Sequence, residues 1–147
     1  MHDSIEWKLL GPGDEGVLEG ARDGVFDRAV EPGLAALFLS DPRHHIAVAT
    51  ESSAVVGFAS AVSYIHPDKP ARLWINEVAV AEGYRRRGIG ERLLRLLLQH
   101  GRALGCEEAW VLTDEANGSA NQLYLKLGGA PEKQVLYCFA GKTLAAP

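Results

Sequence analysis

A strand–helix–strand pattern between Leu73 and Thr113 constrains the fold of this chain more than any other feature. The segment LWINEVAV is rich in β-branched and apolar residues and predicts a strand. A glycine-containing turn follows, and the run from Gly88 to Leu104 then carries apolar residues at helical spacing. The segment AWVLT predicts the second strand. Because such crossovers are right-handed and join parallel strands, both strands should lie parallel in one sheet.

The rest of the chain predicts a single mixed α/β domain spanning residues 1–147. The first forty residues carry apolar side chains at helical spacing, broken by glycine and proline, and predict helices. HIAVAT and Val55–Ile65 predict strands of an antiparallel meander that leads, through the loop HPDKPA, into LWINEVAV. Ser119 to Leu127 predicts a second helix, ended by two glycines, and Gln134–Phe139 predicts a closing strand. We therefore expect a mostly antiparallel sheet with one parallel strand pair and helices on both faces.

Composition limits the possible partners. The 147 residues are 47% hydrophobic and 23% charged, with a formal net charge of −4, which suits one globular domain. The negative net charge argues against binding to nucleic acid or anionic membranes and favours cationic partners. The chain has no apolar run of ~18 residues and its start lacks a signal-peptide layout, so a cytoplasmic location is expected. Two cysteines predict free thiols, and the five histidines, which include the pair His44-His45, match no common metal-binding spacing, so no metal site is expected.

Glu77 interrupts the apolar strand LWINEVAV. Strict alternation predicts two faces, one with Trp74, Asn76, Val78 and Val80 and the other with Leu73, Ile75, Glu77 and Ala79. A carboxylate in such a strand must be paired, solvated by a cleft or shifted in pKa. Glu77 could pair with a neighbour such as Arg72, accept a proton as a general base, or only attract a cationic substrate.

The turn RRRGIG lies between a strand and a helix, where free backbone N–H groups favour an anion. Gly88 and Gly90 lack the Cβ atoms that would keep a phosphate from the backbone. Two common phosphate motifs do not fit, because Glu91-Arg92 replaces the Lys-Ser/Thr of the Walker sequence and Leu93 replaces the third glycine of the dinucleotide motif. A phosphate cradle and a plain solvated turn both remain possible from the turn alone.

Two motifs together carry a family resemblance. The sequence Arg85-x-x-Gly88-x-Gly90 after NEVAV is similar to the acetyl-CoA signature of the GCN5-related N-acetyltransferases. The segment NGSANQLYLKLG, residues 117–128, resembles the second signature of that family, N-x-x-A-x-x-L-Y-x-x-x-G. Gly129 departs from the pattern, because an aromatic residue often follows the glycine there. The resemblance spans roughly Ile46 to Phe139 and implies an acetyltransferase fold with a splayed parallel strand pair.

The resemblance implies acetyl-CoA as cosubstrate, without a metal. It places the pyrophosphate on backbone N–H groups of about Arg86 to Glu91, and the pantetheine arm along Val78 to Val80. It makes Tyr124 the candidate general acid for the departing thiolate, although Tyr124 could also be an ordinary core aromatic. Asn117 could contact the arm, cap its helix, or do both. The implied cofactor-binding residues are Val78, Ala79, Val80, Arg85, Arg86, Arg87, Gly88, Ile89, Gly90, Glu91, Asn117 and Tyr124.

The resemblance also suggests an acceptor. WINEVAV, RRxGIG, TDE and LYLKLG together are most similar to type I aminoglycoside 3-N-acetyltransferases. That group carries acidic residues at the positions of Glu77 and of the pair Asp114-Glu115, which are the implied catalytic base and substrate-binding residues. Further acidic residues, expected in helices flanking the acceptor cleft or on solvated helix faces, are Asp14, Glu15, Asp23 and Asp27. The alternatives are a polyamine, another small amine or a protein amine as acceptor, or a non-catalytic acyl-CoA-binding module. The strand QVLYCFA suggests a possible homodimer.

Overall fold

One five-stranded sheet forms the centre of the molecule. The computed structural model describes residues 4–145, so the last two residues of the tail KTLAAP and the first three of the chain lie outside it. The strands are β1 (Glu6–Leu9), β2 (His44–Glu51), β3 (Ala54–His66), β4 (Lys69–Val80) and β5 (Glu108–Val111). They lie in sequence order, antiparallel from β1 to β4 and parallel between β4 and β5. The predicted meander and parallel crossover are confirmed.

Among residues 4–145, five α-helices accompany the sheet: α1 (Glu15–Glu19), α2 (Pro32–Ser40), α3 (Ile89–Ala103), α4 (Gly118–Lys126) and α5 (Gly141–Leu144). A 3-10 turn, Glu82–Tyr84, connects β4 to the glycine turn before α3. The central helix α3 begins and ends near the predicted glycines, since Gly88 and Gly105 have φ angles of 75° and 84° that suit glycine. Within residues 4–145, none of the helices combines the length and apolar character that crossing a lipid bilayer requires.

Apolar side chains cover both faces of the sheet. On one face, Leu93 and Leu97 of α3 pack on Leu73 and Ile75 of β4. The opposite face holds a second cluster in which α1 and α2 cover β2 and β3, with members that include Leu18, Leu39, Val48 and Phe58. Burial of these side chains from water stabilises the three-layer arrangement. The prediction of helices on both faces is therefore confirmed.

The N-terminal prediction of helices is partly wrong. Residues Glu6–Leu9 form β1, whose Glu6 lies opposite Thr50 of β2. The first predicted helix contracts to Glu15–Glu19, because glycines with φ angles of 96° at Gly13 and 81° at Gly24 interrupt the helical pattern. Asp23 and Asp27 consequently lie in an irregular segment and not in a helix. The helix predicted in EPGLAALFLSDP is confirmed as α2.

The predicted strand at Gln134–Phe139 is also wrong. The segment belongs to no strand, and Val135 and Tyr137 remain 74% and 77% exposed. Its β-prone composition indicates only that it would suit a sheet, whereas β-structure needs a hydrogen-bonding neighbour, and the described sheet ends at β5. The loop HPDKPA is shorter than predicted, since β3 runs to His66 and β4 begins at Lys69.

A bulge in β4 changes the predicted faces of this strand. Ile75 lies opposite Ala61 and Glu77 lies opposite Ser60, so Asn76 is an extra residue in the ladder with β3. The extra residue reverses the alternation after Ile75. Val78 and Val80 therefore pack on the α3 side with Leu73 and Ile75, while Ala79 packs on the opposite side. The predicted grouping of Glu77 with Leu73 and Ile75 is wrong.

Candidate active site

Strand β4 has an open edge beyond its pairing with β5. The parallel register runs from Arg72 opposite Glu108 to Ile75 opposite Val111, where β5 ends, yet β4 continues to Val80. In the described chain, no strand pairs with residues 76–80 along this edge. Unpaired N–H and C=O groups along a strand edge can bind an extended molecule as though it were another strand. The splay implied by the resemblance is thus present in the backbone.

The glycine turn places free backbone N–H groups at the end of this edge. Arg86 and Gly88 adopt left-handed φ angles of 62° and 75°, and α3 begins at Ile89 with no capping side chain. Such turns direct consecutive N–H groups into a concavity that suits an anion, and the positive end of the helix dipole adds to the attraction. A Cβ atom on Gly90 would lie 3.8 Å from Val78, so the turn packs directly beside the open edge.

The three predicted arginines differ in their contacts. The Nε of Arg85 donates to the carbonyl oxygen of Val80 at 3.2 Å, which ties this side chain to the end of β4. The guanidinium of Arg87 lies over the ring of Tyr84, 5.1 Å from its centre. Arg86 is exposed and makes no ion pair within residues 4–145. Arg86 and Arg87 are therefore the two guanidiniums most available to a phosphate group.

Tyr84 organises the surroundings of this turn and was not identified from the sequence. Its hydroxyl donates to the carboxylate of Glu51, a bond that raises the pKa of the Tyr84 phenol. The guanidinium of Arg22 lies 5.3 Å from the ring centre, so Tyr84 contacts two cations. The signal available in the sequence was an aromatic residue directly before three arginines. Its partners lie far away in the chain and only the fold brings them together.

Glu91 uses its side chain to join two helices. It accepts a hydrogen bond from Lys126 of α4 at 2.7 Å and another from Arg95 of α3 at 3.0 Å. The Lys126 bond, followed by the Arg95 bond, lowers the pKa of the Glu91 carboxyl. Only its backbone N–H is therefore free to take part in an anion site at the start of α3.

Glu77 is exposed beside the open edge. Its predicted alternative partner, Arg72, lies 3.6 Å from Glu108 and 3.9 Å from Glu107 instead. Glu77 makes no ion pair with any residue in the range 4–145. The interpretation of Glu77 as the ion-pair partner of Arg72 is wrong, and its carboxylate is available to a basic group brought by a ligand.

Asn117 and Tyr124 both lie on α4. The side-chain oxygen of Asn117 accepts a hydrogen bond from the N–H of Ala120 at 3.2 Å, so Asn117 caps the helix. Tyr124 is half-buried against the α3-side core, and burial raises the pKa of its phenol. Its hydroxyl makes no hydrogen bond to any residue in the described range and can donate to a ligand.

Gly129 explains one departure from the family motif. Its N–H donates to the carbonyl oxygen of Tyr124 at 2.9 Å, which closes the end of α4. A Cβ atom at this position would approach the same oxygen to 3.0 Å. A side chain is therefore disfavoured at position 129, and the glycine holds the backbone of Tyr124 in place.

The acidic pair Asp114-Glu115 follows β5, near the point where β4 and β5 part. The Asp114 carboxylate accepts the N–H of Ala116 at 2.8 Å and forms a local turn. Glu115 lies 3.5 Å from Lys133, with both side chains almost fully exposed. An exposed ion pair of this kind is weak, so both carboxylates remain accessible to a cation. Of the other acidic residues, Asp14 is bonded to Lys8 at 2.8 Å.

Comparison of the sequence with models of protein families identifies the family of this domain. The profile of the acetyltransferase (GNAT) family matches residues 17–129, which include the open edge, the glycine turn and α4. The chain belongs to the acetyltransferase (GNAT) family. The GNAT resemblance drawn from the two motifs is thereby confirmed, together with the fold it implied.

Solved structures share the GNAT fold at low identity. An aminoglycoside acetyltransferase from an uncultured soil metagenomic sample, in complex with sisomicin, is 19% identical with a TM-score of 0.79, covering 92% of this chain and 95% of that one. A second soil metagenomic aminoglycoside acetyltransferase is 24% identical with a TM-score of 0.79, covering 93% and 98%. Aminoglycoside N-acetyltransferase AAC(6')-Iy in complex with CoA is 16% identical with a TM-score of 0.76, covering 96% and 97%. These GNAT structures are not specific to the 3-N group, so they do not support that part of the resemblance.

Proposed function

We propose that this chain is an acetyl-CoA-dependent N-acetyltransferase that acetylates an amine of a cationic small molecule, and that the molecule is an aminoglycoside. The observation that carries the proposal is the open edge of β4 next to an uncapped helix start. Pairing with β5 stops at Ile75, and the free edge leads toward the left-handed residues Arg86 and Gly88. An extended arm that ends in a pyrophosphate fits both features.

Acetyl-CoA would bind to residues of β4, the turn and α4. Backbone groups of Val78 to Val80 would pair with the extended arm. The N–H groups of residues 86–91 and the guanidiniums of Arg86 and Arg87 would hold the pyrophosphate. When bound, acetyl-CoA supplies the activated acetyl thioester. The uncapped start of α3, the left-handed turn and the free strand edge support this assignment.

Two side chains of this chain would move the protons. Glu77 would take a proton from the acceptor ammonium, directly or through water, so that the amine nitrogen can form the new C–N bond as the C–S bond breaks. Tyr124 would give its phenolic proton to the departing thiolate, and the second proton released by the acylated nitrogen would restore the phenol. The exposed, unpaired carboxylate of Glu77 and the free hydroxyl of Tyr124, whose burial raises its pKa, support these roles.

Negative charge near the open edge supports the proposed acceptor class. Glu77, Asp114 and Glu115 place carboxylates at the open end of the sheet, and the chain carries a net charge of −4. A polycationic acceptor would be attracted and held by these groups. The names of the three structural relatives support an aminoglycoside. The motif similarity to type I enzymes favours the 3-N amine, whereas one relative is named for the 6' position.

Thiol release from acetyl-CoA tests the proposal directly. Purified protein would be assayed with aminoglycosides, spermidine and a lysine-containing peptide as acceptors. We expect turnover with aminoglycosides, and NMR of the product would identify the acetylated amine. Turnover confined to spermidine or to the peptide would overturn the aminoglycoside assignment and leave the acetyltransferase. Absence of turnover with any amine, combined with a rise in melting temperature on adding acetyl-CoA, would instead establish a non-catalytic binding module.

A further inference from the structure

Three aromatic side chains meet on neighbouring strands. Trp74 of β4 and Trp110 of β5 are cross-strand partners whose rings stack 5.0 Å apart at an interplanar angle of 7°. The indole N–H of Trp110 donates to the hydroxyl of Tyr64 on β3 at 2.6 Å. Trp74 remains 39% exposed. The cluster therefore presents an aromatic surface to solvent.

The bulge at Asn76 places this surface beside Glu77. Leu73 and Ile75 point to the α3 side, so Trp74 between them points to the other. After the bulge, Ala79 packs on that other side, and Glu77, two residues before it, shares its face. Trp74 and Glu77 thus lie on one face of β4, which carries both an exposed aromatic ring and an unpaired carboxylate.

The cluster is held rigidly. Trp110 is fixed by stacking on Trp74 and by its hydrogen bond to Tyr64, and it supports Trp74 in return. A preorganised aromatic ring loses little conformational freedom on binding. The indole N–H of Trp74 makes no hydrogen bond within residues 4–145, so it can donate to a ligand hydroxyl.

We propose that Trp74 determines acceptor specificity by stacking against an amine-bearing ring, such as an amino sugar, whose ammonium group lies at Glu77. This inference rests on the proposed acetyltransferase function and deepens it. The apolar C–H face of a sugar ring would cover the exposed indole, a ring hydroxyl would accept from its N–H, and the cation would meet the carboxylate. A flexible linear polyamine carries the charge and lacks the ring, so it would gain little from Trp74.

The test compares an aminoglycoside with spermidine in the wild type and in Trp74→Leu. Loss of the stacking surface should raise KM for the aminoglycoside about 10-fold, leave its kcat within about twofold and barely change KM for spermidine. Trp74→Phe keeps a ring and should recover part of the aminoglycoside KM. Trp7→Phe is the matched control, because Trp7 packs under Arg92 on the far edge strand β1. Melting temperatures would verify that every variant folds.

An equal rise in KM for both acceptors, or no rise for either, would overturn the role of Trp74. The same comparison by calorimetric binding separates this inference from the proposed function. Should the wild type acetylate no amine, the function fails, and the stacking surface is still tested by the affinity of each acceptor. Weaker aminoglycoside binding in Trp74→Leu with unchanged spermidine binding would support it, and unchanged aminoglycoside binding would refute it.

Discussion

The side chains of Trp74 and Glu77 lie on the same face of β4, although Glu77 follows Trp74 by three positions, an odd number. In a regular strand they would point to opposite faces. The bulge at Asn76 supplies the extra residue, as shown by the pairing of Ile75 with Ala61 and of Glu77 with Ser60. Glu77 is therefore aimed away from the α3-side core.

Replacing Glu77 by glutamine should lower kcat/KM roughly 100-fold or more at neutral pH, because the acceptor ammonium loses its base. Activity of the variant should then rise with pH as free amine becomes available. A pH–rate profile of both proteins with one acceptor measures the effect. Glu6→Gln, which alters an exposed carboxylate on β1 at the opposite edge of the sheet, is the charge control. If Glu77→Gln raises KM alone, the residue binds substrate and is not the base.

Replacing Tyr124 by phenylalanine should lower kcat about 100-fold with little change in KM, because the thiolate loses its proton donor. Burial raises the pKa of Tyr124, so its phenol is protonated at neutral pH and wild-type kcat should show no tyrosine limb below about pH 10. The melting temperature should hardly change, since the hydroxyl makes no hydrogen bond in the described chain. Unchanged kcat would show that Tyr124 is an ordinary core aromatic and not the proton donor.

The two glycines of the turn should respond differently to alanine. Gly88 has a φ of 75°, so Gly88→Ala should cost about 1–2 kcal/mol of stability and weaken acetyl-CoA binding. At Gly90 the added Cβ would meet Leu123 at 3.7 Å, an ordinary contact, so Gly90→Ala should fold with near-normal stability and weaken acetyl-CoA binding only by crowding the pyrophosphate. Urea denaturation and calorimetry measure both. Equal stability of the two variants would contradict the strain assigned to position 88, and unchanged acetyl-CoA binding by both would contradict the role of the turn.

Gly129→Ala should destabilise the protein by about 1 kcal/mol, because the new Cβ would approach the Tyr124 carbonyl oxygen to 3.0 Å. Gly118→Ala at the other end of α4 meets no atom within 4 Å and should be neutral or stabilising. Thermal or urea unfolding of the pair gives the comparison. Equal stability of the two variants would show that the end of α4 relaxes without cost.

His45 should make stability depend on pH. It is buried, with its Nε2 2.8 Å from the Ser63 hydroxyl and its Nδ1 3.0 Å from Nε2 of His100. Burial, followed by the neighbouring His100, lowers its pKa from 6.5 to about 4. The unfolded chain therefore binds the proton more tightly, and stability should fall as pH drops from 6.5 toward 4.

The His45 contribution should amount to about 2–3 kcal/mol between these limits. Urea unfolding of wild type and His45→Phe at several pH values measures this contribution. The free energy of unfolding of the variant should fall less than that of the wild type as the pH drops, because the variant lacks the buried imidazole. His66→Gln, which changes an exposed histidine, should keep it. Parallel stability curves for wild type and His45→Phe would refute the prediction.

The local pattern of the sequence was sufficient to predict the elements with strong periodicity. Hydrophobic periodicity and φ preference act within a few residues, so they predict local backbone conformation. They were sufficient for the apolar stripe of α3, the alternating apolar strands and the glycines at 88 and 105. The two motifs that flank α3 carried the family. In the candidate site, the glycine turn and the cap at Asn117 were predictable for the same local reason.

Only the tertiary structure decided which of these elements have partners. The bulge at Asn76 depends on the ladder with β3, and it determines the face on which Glu77 lies. Tyr84 contacts Glu51 and Arg22, and Trp110 contacts Tyr64. These partners are far apart in the sequence, so no local sequence pattern predicts the contacts. The strand predicted at 134–139 failed for the converse reason, since β-propensity is local and strand pairing is not. The sequence of a short segment thus determines its local backbone conformation. Strand register and side-chain contacts depend instead on which distant segments pack together in the folded chain.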